Sequence, residues 1–201
     1  MYQTHTSLVL GFHGCEKSIG EQLLSGEKDF KASDNEYDWL GNGMYFWENS
    51  HSRAFDFAKE VNENPGMGNI KEPYVIGAIL DLGRCLNLLD YQNLLVVKAH
   101  HDMMVELRTM EGKEIPKNIL GPDKVKRFLD CAVIQYTHEL VEMDAKVPAF
   151  DSVRAMFKEG GPLYDQAGFN GKNHIQIAIR NPNCIKGFFL PRQKSPEHPH
   201  V

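Results

Sequence analysis

The chain has 201 residues, a formal net charge of -5 at pH 7, 42% hydrophobic residues and 24% charged residues. That length suits one domain with a sizeable core, and the balance is that of a soluble globular protein. The acidic balance argues against nucleic-acid binding through whole-molecule charge but leaves room for a local basic patch; no apolar run is long enough to cross a bilayer, and Met1-Tyr2-Gln3-Thr4-His5 lacks the basic-then-apolar pattern of a leader, so a cytoplasmic protein with no membrane partner is expected.

In chain order, Leu8 to Cys15 predicts a short strand ending in His13-Gly14, followed by a helix from Glu16 to about Ser25. A histidine that ends a strand beside glycine suits ligand contact, and a structural histidine explains it too. Gly26 to Glu36 is polar and predicts a loop. It leads into Asp38-Trp39-Leu40-Gly41-Asn42-Gly43-Met44-Tyr45-Phe46-Trp47-Glu48, which holds both tryptophans of the chain. Glycines at this spacing permit a sharp turn or a close backbone approach. Met44 to Trp47 predicts a buried strand, and Asn49-Ser50 caps a helix whose apolar side is Ala54, Phe55, Phe57 and Ala58.

Asn62 to Pro73 predicts a loop, and Tyr74 to Leu82 a strand, with Cys85 to Leu89 continuing the sheet beyond a turn at Gly83. Two helices are expected over Tyr91 to Met110 and Pro122 to Met143. The second carries Val125, Phe128, Leu129, Ala132, Val133, Tyr136 and Leu140 on one face, with Pro122 in its first turn. Lys113, Lys117, Lys124, Lys126 and Arg127 form a basic cluster best read as a solvated face. Ala149 to Phe157 predicts a short helix stopped by Gly160-Gly161-Pro162. His174 to Ile179 alternates as a strand, Asn181-Pro182-Asn183 turns, and Ile185 to Leu190 returns as another strand. Residues 192–201 predict a loose tail in which His198 and His200 have no identifiable metal partners.

The four cysteines, Cys15, Cys85, Cys131 and Cys184, are scattered and predict reduced thiols. Gly41-Asn42-Gly43 lacks the third glycine of a dinucleotide-binding loop and precedes a strand. A phosphate-binding loop, a Gly-x-Ser-x-Gly elbow and a His-Glu-x-x-His pair are all absent from the text.

Three pieces side by side carry a resemblance: a strand ending in His13-Gly14, the Gly43-Met44-Tyr45-Phe46 segment, and a late strand around Gln176 followed by a returning strand. In order and spacing, from Leu8 to Pro191, they resemble the ADP-ribosyltransferases, in the diphtheria-toxin and poly(ADP-ribose) polymerase branch with His, Tyr and usually Glu on separate strands. The resemblance implies an α+β domain over 1–191, built on a split antiparallel sheet with flanking helices, in which about 91–143 is a helical insertion. NAD is then a co-substrate and no metal is required. His13 would bond the adenosine ribose, the Gly14 backbone the nicotinamide carboxamide, and Tyr45 would stack on the nicotinamide ring, with Gly43 beside it and Arg53 or Arg154 toward the pyrophosphate.

The third position departs from the family, because Gln176 bonds a hydroxyl but carries no charge. Glu48 or Asp38 would supply the missing carboxylate; a helix-start role near the dipole explains Glu48 equally well. The implied activity is transfer of a single ADP-ribose to RNA, DNA or protein, as in a bacterial toxin or defence enzyme, which would call for an inhibitory partner. The rivals are an NAD glycohydrolase, a related RNA phosphotransferase whose several arginines this chain does not display, and a non-catalytic module that binds NAD or ADP-ribose. Trp39 and Trp47 are expected to wall the cleft or to stack on an acceptor base.

Overall fold

The structure, a computed structural model, describes residues 8–121, 123 and 125–192. Its elements run β1 (Val9–Glu16), α1 (Lys17–Ser25), β2 (Met44–Glu48), α2 (His51–Glu63), β3 (Pro73–Leu80), β4 (Cys85–Asn87) and α3 (Tyr91–Met110). They continue with β5 (Asn118–Ile119), β6 (Lys126–Arg127), α4 (Phe128–Met143), β7 (Ser152–Phe157), β8 (His174–Ile179) and β9 (Ile185–Phe189). Seven strands form one sheet in the order β4-β7-β8-β2-β1-β3-β9, and β5 pairs with β6 in a small hairpin. The fold is α+β.

The sheet is mixed, which corrects the antiparallel expectation at one edge. Cys85–Asn87 does not extend the sheet beside β3 but runs parallel to β7 at the far edge. Gly83 turns the chain there at φ 55; the Arg84 amide donates to the Asp151 carboxylate and its carbonyl accepts from the Asp151 amide, which pins β4 to the start of β7. The helix expected over Ala149 to Phe157 is also corrected. Ser152–Phe157 is a strand, with Val153, Ala155 and Phe157 alternately buried against Ala178 and Leu86. Period-two burial overrode helix propensity at this position.

α4 begins at Phe128, because the preceding residues are spent on the β5–β6 hairpin. Pro122, expected in its first turn, lies outside the described residues, as do Lys124 and 193–201 with His198 and His200. The buried stripe of α4 is Cys131, Val133, Ile134, Thr137 and His138, rotated from the expected face; Val125 is exposed. On α2 the buried residues are Arg53, Ala54, Ala58 and Val61, and Phe55 points outward. Ser50 caps α2 as expected, accepting from the Arg53 amide.

Strand register assigns the two faces of the sheet, since directly paired residues point the same way. Gly11 pairs with Glu48 and Phe46 with Ile177, so one face carries His13, Phe46, Glu48 and Ile177. Met44, Ala78, Leu80 and Ile179 complete its core, with Phe30 and Phe188 packed on it. The other face carries Phe12, Gly14, Tyr45, Trp47 and Gln176. α2 covers it beside β1 and β3 through Ala54 and Phe57, while Val97 of α3 and Ile134 of α4 cover it beside β7 and β8. Among the described residues, no helix is long and apolar enough to cross a membrane.

Candidate functional site

β1 and β2 pair at two positions only, Gly11 with Glu48 and Phe12 with Trp47, whereas β1 pairs with β3 along its whole length. At His13 the two strands part. The His13 ring enters the opening, and its Nδ1 donates to the Tyr45 carbonyl at 2.9 Å. Nε2 is thereby left as the acceptor. Burial lowers the His13 pKa from its ordinary value, outweighing that bond, so the ring is neutral. Phe30 stands edge-on to it at 4.6 Å.

The Asn49 amide donates to the Leu10 carbonyl, so the peptide edges of Leu10, Phe12 and Gly14 all point toward β2. For Leu10 and Phe12 that edge is taken by β2. The ladder stops before Gly14, whose N–H and C=O therefore point into the opening between the strands. A residue with a side chain is barred from this position, because an added Cβ would lie 2.2 Å from the Ala54 carbonyl of α2.

The other expected site residues are placed as follows. The Tyr45 hydroxyl donates to the Gly41 carbonyl at 2.6 Å and accepts from the Leu40 amide at 2.8 Å, so it closes the preceding turn. Its ring packs with Leu40 and Ile134, and burial raises its pKa well above the ordinary value. Gly43 exchanges two backbone bonds with Ser33 and passes close to the Ile179 carbonyl. Glu48 accepts from Arg154 Nε at 2.5 Å and Nη2 at 2.8 Å. That bidentate pair sits on the face opposite Gln176. Asp38 bonds the Asn35 amide and side chain.

Gln176 lies half-buried on the second face, opposite Trp47 of β2 and Ala155 of β7. Around it is a cluster that only partly shows in the sequence. His174, two residues earlier on the same face, has rings of Trp39, Trp47 and Phe157 around it at 6.3, 6.3 and 5.7 Å. Its Nδ1 donates to the Lys172 carbonyl at 2.7 Å, with Glu159 3.6 Å away. Burial lowers its pKa; Glu159 opposes this, while Arg53 and Arg127 add to it. Arg53 is buried and holds Glu159 at 3.1 Å and Glu60 at 3.4 Å, with its guanidinium over Trp47. Arg127 is not solvated as expected. Its guanidinium lies 4.0 Å from the Trp39 ring and 5.0 Å from Phe157.

Trp47 Nε1, Arg53 Nε, Arg127 Nε and His174 Nε2 are buried without a hydrogen-bond partner among the described residues. Leaving such an atom unpaired costs about 1–3 kcal/mol, so their concentration in one cluster calls for an explanation. The signal for His174 was its alternation with Gln176; Glu159 and Arg127 gave none, since long-range packing sets their positions. Among the described residues, no group of three or more His, Cys, Asp or Glu side chains is placed to hold a metal ion. The opening between β1 and β2 offers a peptide edge beside a neutral histidine, while the opposite face of the sheet carries the uncharged amide of Gln176 and two arginines stacked on tryptophans. A peptide edge of this kind suits a carboxamide.

No protein-family model matches the chain, and no solved structure matches it. It is 27% identical over 195 residues to an uncharacterized protein of Methanocaldococcus jannaschii, MJ0359, an alignment covering 87% of this chain and 83% of that protein.

Proposed function

We propose that the protein is an NAD-dependent ADP-ribosyltransferase that transfers a single ADP-ribose unit to a macromolecule. The observation that carries this reading is the opening of the sheet at His13-Gly14, where a peptide edge faces a gap instead of a strand. A carboxamide presents one donor and one acceptor side by side, the complement of the Gly14 carbonyl and amide. The three strands expected to carry the site, β1, β2 and β8, are adjacent at the centre of the sheet, which supports the same reading.

In this reaction the bond between ribose and nicotinamide breaks, and its electron pair leaves with nicotinamide. The acceptor nucleophile bonds to the ribose carbon and releases its proton. Positive charge develops at that carbon, so positioning and electrostatics supply most of the rate. His13 Nε2 accepts from a ribose hydroxyl at the opening between β1 and β2; Gln176 stands on the opposite face of the sheet, and its role as the third site residue comes from the family pattern alone. Glu48 is committed to Arg154, so the missing carboxylate is not supplied from there. That commitment favours a second reading, a module that binds NAD without turnover.

Incubation with NAD labelled in its adenylate part, alone and with cell lysate, separates these readings. Label on RNA, DNA or protein with nicotinamide release supports the transferase. Release without label makes the protein a glycohydrolase. Binding without release favours the module, and no binding refutes both NAD readings.

A further inference from the structure

We infer that the exposed face of α3 is the seat of a second copy of this chain, so that two molecules pair through antiparallel α3 helices about a twofold axis at Met103. α3 gives little to its own fold: of its 20 residues only Met104 is buried. Val96, Met103, Leu107 and Met110 are exposed by 39, 49, 44 and 74%, and Ala99 between them is exposed as well. At about 100° per residue these positions fall within about 80° of one another, in one continuous stripe along most of the helix. A single exposed leucine is ordinary, whereas a contiguous apolar stripe marks a contact surface.

The spacing selects the partner. From Val96 to Met110 the steps along the stripe are three, four, four and three residues, which read the same in both directions. A twofold contact requires this, because one patch must serve both molecules. With Met103 on the axis, Val96 meets Met110 of the second copy and Ala99 meets Leu107, so each smaller side chain faces a longer one. The flexible methionines adapt to the remaining space. No charged residue lies on the stripe. Lys98 and Asp102, paired at 2.5 Å, and Glu106 stand to its outer side, so pairing buries no uncompensated charge.

The area agrees. Side chains of this size and exposure bury roughly 500 Å² on each copy and roughly 1,000 Å² in the pair, the floor for a specific interface. Beside Leu107 the stripe opens into a groove of about 340 Å³ between α3 and α4, where Met104, Ala132 and Tyr136 extend the apolar contact. A membrane fits less well, because an interfacial helix carries cations on its polar face and here Asp102 and Glu106 outnumber Lys98 beside the stripe. α3 covers the sheet beside β7 and β8, so the pairing uses neither strand of the His13-Gly14 opening and does not depend on NAD chemistry.

The test is sedimentation velocity of the full chain from low micromolar to several hundred micromolar. A monomer–dimer equilibrium with a micromolar dissociation constant is expected for a contact of this size. Met103→Lys brings two like charges together on the axis and should weaken the dimer roughly a hundredfold or more, and Met103→Glu should do the same. An equimolar mixture of the two variants should regain the dimer, since opposite charges then meet there. Met103 is half exposed, so both variants keep the fold, which far-UV circular dichroism establishes. A monomer across the whole range overturns the proposal, as does a dimer that either variant leaves intact. Variants that dissociate but fail to pair on mixing place the axis elsewhere and overturn it too. A monomer that floats with vesicles of anionic phospholipid would assign the face to a membrane instead.

Discussion

Glu48→Gln separates a structural from a catalytic carboxylate. In the folded chain Glu48 and Arg154 hold each other through two short bonds, with side chains 12% and 13% exposed. Removing one partner of a buried ion pair costs about 3–5 kcal/mol, because the other charge is left without compensation. Arg154 keeps a bond to Asn87 at 3.2 Å, and glutamine still accepts one hydrogen bond, so the lower end, about 3 kcal/mol, is expected. For a chain of this size that is a fall in melting temperature of roughly 6–12 °C. Urea denaturation of Glu48→Gln, Arg154→Met and the double variant measures it. The double variant should regain most of the loss, since an apolar replacement of the whole pair is often neutral. If Glu48→Gln keeps its stability within about 0.5 kcal/mol while nicotinamide release collapses, the structural assignment is wrong and the carboxylate serves the reaction.

Tyr45→Phe keeps the ring and removes the hydroxyl that joins Gly41 and Leu40, leaving two backbone groups unpaired. The expected cost is about 2–3 kcal/mol in urea denaturation, and a stable variant that merely loses NAD affinity would show the hydroxyl to be a ligand contact. His138 is buried with neither ring nitrogen partnered among the described residues, and burial, then Arg180, pushes its pKa down to about 3. The unfolded chain takes up that proton below its ordinary value of 6.5, so stability is full above 6.5 and falls as pH drops toward 3. From pH 7 to 5 this amounts to at most about 2 kcal/mol, and His138→Leu should flatten the slope by that amount; an unchanged slope would show that His138 charges freely in the fold. Gln176→Glu restores the charge that favours the developing cation and should raise the rate of nicotinamide release severalfold with little change in KM. A rate that falls instead would place Gln176 away from the reacting ribose.

Elements whose burial follows their own periodicity were legible in the sequence. His174–Ile179 alternates along one strand, and Tyr91–Met110 is a helix at the expected bounds. Ser152–Phe157 was not legible, because Arg154, Ala155 and Met156 suit a helix locally, and its strand state comes from pairing with β8. The same limit governs the site. His13, Gly14 and Gln176 are marked by local pattern, whereas the pairing of Glu48 with Arg154 joins residues 106 positions apart. Sequence spacing made Glu48 a neighbour of Tyr45; strand alternation puts the two on opposite faces.

Glycine at position 14 is accounted for by packing alone, since α2 presses its Ala54 carbonyl where a side chain would stand. The identity of that residue is therefore no argument for a ligand. The missing strand partner is different. Continuing the β1–β2 ladder by one more step would give the Gly14 amide the Tyr45 carbonyl, and that carbonyl instead receives the His13 ring. The exchange satisfies Tyr45, and the β1–β2 register ends before Gly14. The open edge, and not the glycine, carries the proposed ligand contact at this end of β1.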